Sequence, residues 1–143
     1  RKGGENDFPN YFGNQKSMKK FKVLVCDDSK LIRMKMKQTL QDIELTGYEM
    51  EVLEAADGQQ GIDVYKQKIP NVMFVDMVMP VKTGLEAIVE IMEFDPKAKI
   101  VMASSVGTKE NLKKALESGA YDFIQKPLDS TKVSNMIMRV LGR

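Results

Sequence analysis

The chain has 143 residues, the size of one ordinary domain, with 22 Lys and Arg against 20 Asp and Glu and a net charge of +2. It contains no histidine, no tryptophan and one cysteine, which excludes Ser-His-Asp and Cys-His catalysis, His-containing zinc sites and an intrachain disulfide. The near-balanced charge leaves no electrostatic footprint for DNA or an anionic membrane, so neither is an expected partner. A composition of 43% hydrophobic and 29% charged residues is that of a soluble globular protein. No apolar run reaches membrane-spanning length, and the polar N-terminus lacks a secretory apolar core. With its lone thiol, the chain is expected in the cytoplasm.

Residues 1–17 show recurrent Gly and Asn, no periodicity and no opening Met, whereas Met18 reads as a natural start. They are expected to be a leader of foreign origin or a disordered extension, with 18–143 forming the domain. The first apolar run covers 21–26 and is followed by a helical period at Ile32, Met36, Leu40 and Ile43, with Gly47 as its stop. A second run at 50–55 precedes the period Ile62, Tyr65, Ile69, closed by Pro70. The run at 72–75 leads to Leu85, Ile88 and Met92, closed by Pro96. The run at 100–103 leads to Leu112, Ala115 and Leu116, closed by Gly119. A last run at 121–124 precedes Val133, Ile137, Val140 and Leu141.

Three of these runs, Val23-Leu24-Val25-Cys26, Val72-Met73-Phe74-Val75 and Ile100-Val101-Met102-Ala103, are continuously apolar, as in strands buried on both faces of a parallel sheet. Five β-α units in strict alternation predict an α/β fold, a doubly wound parallel sheet with helices on both faces. Cys26 is expected to fill core as a small hydrophobe. Of the 11 methionines, Met34, Met36, Met73, Met92, Met102 and Met136 are assigned to the core, and Met77, Met79 and Met138 to the surface.

Ligands of such sheets sit outside the carboxyl ends of the strands. Those ends carry Asp27-Asp28-Ser29, Ala56-Asp57-Gly58, Asp76-Met77, Ser104-Ser105 and Gln125-Lys126-Pro127. Singly, each has a bland explanation: Asp28 or Ser29 as a helix cap, Ser104 as a turn hydroxyl, Lys126 as a solvated loop residue. Jointly they place three carboxylates, a hydroxyl and an ammonium at one end of four apolar runs. Carboxylates crowded at 4 Å repel by about 4 kcal/mol at an effective dielectric near 20, so the cluster needs a cation. Hard oxygen donors without Cys or His suit Mg2+ or Mn2+. Metal, hydroxyl and ammonium together describe a phosphoryl site.

Here the sequence resembles the receiver domains of two-component response regulators, of the chemotaxis type. The matching pieces are Val25-Cys26-Asp27-Asp28-Ser29, Val75-Asp76-Met77-Val78-Met79-Pro80 with Gly84, Met102-Ala103-Ser104-Ser105, and Phe123-Ile124-Gln125-Lys126-Pro127. The resemblance implies a flavodoxin-like (βα)5 sheet of strand order 2-1-3-4-5. It implies Asp76 as the phosphorylated residue, and Mg2+ (or Mn2+) held by Asp28, Asp76 and the Val78 backbone carbonyl, with Asp27 acting through water. Lys126 would pair with Asp76 and then the phosphoryl group, Ser104 would donate its hydroxyl, and Phe123 would be the aromatic switch. The Lys126-Pro127 bond is commonly cis in the family.

The implied partners are a histidine kinase as donor, a downstream protein such as the flagellar motor switch, and a possible phosphatase. The fourth helix, fifth strand and fifth helix would form the partner surface, and Lys109-Glu110-Asn111-Leu112 resembles chemotaxis receivers at the fourth helix. Catalysis would be limited to the chain's own phosphorylation and dephosphorylation. The sequence closes after the fifth helical pattern, which is read as a stand-alone receiver or one excised from a transcriptional or phosphorelay regulator. Val78 and Val106 bring no polar group to orient water, so a long-lived acyl phosphate is expected. A haloacid-dehalogenase-type phosphatase would need an Asp two residues after its nucleophile, where this chain has Val78 or Ser29. A flavodoxin-like cofactor protein would need a Ser/Thr/Gly-rich phosphate loop after Cys26, which is absent.

Overall fold

The computed structural model describes residues 18–143, so the expectation for 1–17 lies outside the described residues. Strands and helices alternate: β1 (Lys19–Cys26), α1 (Lys30–Gln41), β2 (Tyr48–Ala55), α2 (Gly58–Lys68), β3 (Val72–Asp76), α3 (Gly84–Phe94), β4 (Ile100–Ser104), α4 (Lys109–Glu117), β5 (Asp122–Gln125) and α5 (Ser130–Leu141). The five strands form one parallel sheet in the order β2-β1-β3-β4-β5, the flavodoxin-like doubly wound order.

The continuous apolar runs are explained by the period of two along a strand, which sends alternate residues to opposite faces. On one face Leu24, Cys26, Met73, Val75, Ile100 and Met102 meet Ile62 and Tyr65 of α2, Ile88 and Ile91 of α3, and Ala115 of α4. On the other Phe21, Val23, Val25, Val72, Phe74 and Val101 meet Met36 and Leu40 of α1 and Val133, Met136 and Ile137 of α5. Each large side chain so buried contributes about 1.5–3 kcal/mol relative to exposure.

The helices begin at side-chain caps. Ser29 accepts from the Ile32 amide, Asp57 from Gln60, Thr83 from Glu86 in a full capping box, Thr108 from Asn111 and Asp129 from Lys132. Three details depart from the sequence reading. Helix α1 ends at Gln41, so Ile43 lies beyond it and Gly47 serves the turn into β2 with φ 86°. Met34 is 51% exposed, because it lies on the outward face of α1. Met77 and Met79 are buried, because the loop after β3 folds back onto the core and sets the Met79 sulfur 3.6 Å from the Cys26 sulfur. That same loop brings Val81 to φ 68°, a left-handed conformation that a β-branched residue rarely adopts.

Candidate functional site

The sheet order puts the carboxyl ends of β1, β3, β4 and β5 side by side, and the chain's polar strand-end residues collect there. Asp27 follows β1 and is 4% exposed; Ser104 ends β4 and is 5% exposed. They are the buried polar residues among the described ones. Asp76, the last residue of β3, is half-buried, and Asp28 is exposed. Oxygens of Asp27, Asp28 and Asp76 all lie within 4.8 Å of one another.

Lys126 enters from the end of β5, where its amide donates to the Ser104 carbonyl at 2.8 Å and its peptide bond to Pro127 is cis. Its Nζ reaches Asp27 Oδ2 at 2.9 Å and Asp76 Oδ1 at 3.2 Å, so one ammonium spans two of the carboxylates. The sequence reading paired it with Asp76 alone. The other Asp27 oxygen, Oδ1, accepts from the Ser29 amide at 2.9 Å. The Ser104 hydroxyl accepts from the Val106 amide at 3.1 Å, which leaves its own proton free for another acceptor. Ser105 faces outward and lines a cavity of about 390 Å³ with Ile32, Lys35, Met36 and Pro127. Phe123, in β5, is partly buried against the face of the sheet that carries α2, α3 and α4. Val78 lies two residues past Asp76 and is 74% exposed.

Electrostatics follow from the crowding. Burial pushes the Asp76 carboxyl above the usual carboxylate range; Lys126 pulls it back, while Asp27 and Asp28 add to the rise. Burial works against the Lys126 ammonium, but its hydrogen bonds and charge interactions with Asp27 and Asp76 outweigh that and hold it above the ordinary lysine value. Just beneath, burial and then the charges of Asp57, Asp27 and Asp76 push the Cys26 thiol up to about 12. A thiol so held is inert packing, not a nucleophile. Gly84 lets the start of α3 pack against the backbone after β3, since a Cβ there would collide with the Asp76 carbonyl oxygen.

The oxygen set fits a hard divalent cation: three carboxylates converge, one is exposed and carries no side-chain hydrogen bond among the described residues, and the single ammonium cannot balance three negative charges. The sequence reading missed Arg33 of α1, whose Nη1 donates to the Asp27 carbonyl at 2.7 Å and whose Nε donates to Glu54 at 3.1 Å. Its only signal was a position on a helix otherwise rich in lysine, because both partners come from other elements.

Residues 23–138 match the family model for the response regulator receiver domain. The chain therefore belongs to the receiver-domain family, the signalling module of two-component systems. Within that family it is CheY-like. It is 38% identical to the chemotaxis protein CheY of Halobacterium salinarum over 120 residues, covering 83% of this chain and 95% of that protein. It is 41% identical to the protein CcdB of Bacillus subtilis over 123 residues, covering 85% and 98% respectively. Among solved structures it is similar to the CheX-CheY-BeF3-Mg2+ complex of Borrelia burgdorferi, with a TM-score of 0.76, 33% identity, and coverage of 85% of this chain and 89% of that one. No helix among the described residues is long and apolar enough to cross a membrane.

Proposed function

We propose that this chain is a phospho-accepting switch that takes a phosphoryl group from a histidine kinase onto Asp76. The observation that carries this reading is the meeting of Asp76 with Lys126, Asp27 and Asp28 at adjoining strand ends. An Asp76 carboxylate oxygen attacks phosphorus, the P–N bond to the donor imidazole breaks, and an acyl phosphate forms. Lys126, already 3.2 Å from Asp76, turns from the carboxylate to a phosphoryl oxygen. Ser104 donates its free hydroxyl proton to a second phosphoryl oxygen. Asp27, Asp28 and Asp76, with the Val78 carbonyl, would hold a Mg2+ or Mn2+ ion that supplies the charge neutralisation phosphoryl transfer needs.

The consequence is read at a distance. Ser104 ends β4 and Phe123 lies in the neighbouring β5, so movement of the hydroxyl toward the phosphoryl group biases the packing of Phe123. The surface of α4, β5 and α5, which exposes Leu112 and Leu116, is then the face that a downstream protein reads. The CheY relatives favour chemotaxis as the pathway. A flagellar motor switch as the target rests on the resemblance of the fourth-helix residues Lys109-Glu110-Asn111-Leu112 to chemotaxis receivers. The Borrelia burgdorferi CheY in complex with BeF3 and Mg2+ supports the same phosphoryl and cation chemistry here. A haloacid-dehalogenase-type phosphatase is disfavoured by Val78 in place of an acid/base carboxylate.

Incubation with acetyl phosphate and Mg2+ should add one phosphoryl group, read by intact mass, and Asp76→Asn should abolish the addition. An unchanged addition in that variant overturns the assignment.

A further inference from the structure

The three carboxylates are not held alike. Asp27 is fixed at every polar atom: its amide donates to the Ala55 carbonyl at 3.1 Å, its side-chain oxygens accept from Ser29 and Lys126, and its carbonyl accepts from Arg33. Asp28 has no side-chain hydrogen bond among the described residues and is exposed, so its carboxylate is placed by its backbone alone. The carbonyl that Arg33 grips belongs to the peptide joining Asp27 to Asp28. We propose that Arg33 is the positioning residue of the acidic site, setting the Asp27–Asp28 peptide so that Asp28 faces the cation, and that Glu54 holds Arg33 in place. The inference rests on the reading of this cluster as a divalent-cation site.

The geometry favours positioning over simple charge. Arg33 sits one turn into α1, its amide donating to the Ser29 carbonyl at 3.0 Å, and its side chain is only 15% exposed. Its fork reaches two directions at once: Nη1 to the Asp27 carbonyl at 2.7 Å and Nε to Glu54 Oε1 at 3.1 Å. Glu54 lies on the edge strand β2, directly across from Val25 of β1. Guanidinium suits this task because its donors are rigidly spaced in a planar fork, whereas a lysine ammonium is a point charge on a flexible stem without that fixed geometry. The two roles predict opposite signs. A bare positive charge near the site repels a cation, so its removal would tighten Mg2+ binding. With Glu54 neutralising that charge at 3.1 Å, the hydrogen bond to the peptide is what remains, and its removal should weaken binding.

Titration calorimetry with MgCl2 on the full chain provides the test, with thermal melts in EDTA reporting the fold of each variant. Arg33→Ala should weaken Mg2+ binding about tenfold, the lower end for groups that orient metal ligands. Arg33→Lys should recover part of the loss. Glu54→Gln, which keeps the guanidinium but frees it, should weaken binding by a smaller factor. Because Glu54→Gln also leaves the Arg33 charge unneutralised, Arg33→Lys, which keeps that charge and should still bind Mg2+ more weakly than wild type, carries the test if Arg33→Ala fails to fold. Unchanged or tighter binding in folded Arg33→Ala, or in Arg33→Lys where that variant carries the test, overturns the proposal. If the wild-type chain binds no Mg2+, the cation-site reading fails first and this inference falls with it.

Discussion

Val25 and Asp27 stand two residues apart and are buried almost equally, at 2% and 4% exposure, yet they serve opposite ends. Val25 packs in an apolar cluster beside Phe74 of β3, with Glu54 of the edge strand β2 across from it on the other side, and burial of that cluster stabilises the arrangement. Around Asp27 three carboxylates crowd one ammonium, and burial pushes the Asp76 carboxyl toward its protonated form. The same strands thus carry a middle selected for packing and a carboxyl end held against its own electrostatics. The lesson is that the rigid middle is what lets the end stay strained: like charges separate unless the backbone beneath them cannot move.

Three changes sharpen that contrast. The largest effect belongs to the middle. Leu24→Ala, at a fully buried position of β1, should cost about 2–5 kcal/mol in urea unfolding, through lost transfer energy and the cavity left behind. A loss below 1 kcal/mol would mean that this part of the sheet relaxes easily. Next comes the rim of the site. Val106→Asn, beside Ser104, supplies a group that orients water, and one such hydrogen bond should speed loss of the acyl phosphate by up to about tenfold. The decay of phosphorylated protein, followed by intact mass, measures this.

The smallest effect is a gain. Because the folded Asp76 carboxyl is held above its unfolded value, its favourable share of stability is complete below the unfolded carboxylate range and is lost as pH rises through the folded value. Asp76→Asn should therefore melt a few degrees higher than wild type at pH 7 in EDTA. The gap should narrow as pH falls through the folded value and close only below about 4, the unperturbed carboxylate range, where the wild-type group becomes protonated in both states. A gap that widens on acidification would mean that Lys126 outweighs burial at Asp76.

Much of this was legible in the residues because the relevant signals are local. Continuous apolar runs mark strands buried on both faces, and one acidic, hydroxyl or ammonium group after each run marks the end where a ligand sits. Cys26 as core filling followed from the same local pattern, and its thiol is indeed buried. The receiver resemblance lay in short motifs that survive on their own. What failed to show was contact across elements. The end of α1 at Gln41, the burial of Met77 and Met79, and the exposure of Met34 depend on how a loop or helix is turned against the sheet, which a period read along one segment does not contain.

By itself, then, the sequence determined the α/β alternation, the strand ends and the chemistry available there, because side-chain type and spacing act within a few residues. Only the tertiary structure decided that Lys126 spans Asp27 as well as Asp76, and that Arg33 and Glu54 brace the Asp27–Asp28 peptide. Those pairings join residues as far as 99 positions apart, and charge and hydrogen-bond geometry at 3 Å exist only once the sheet has brought them together.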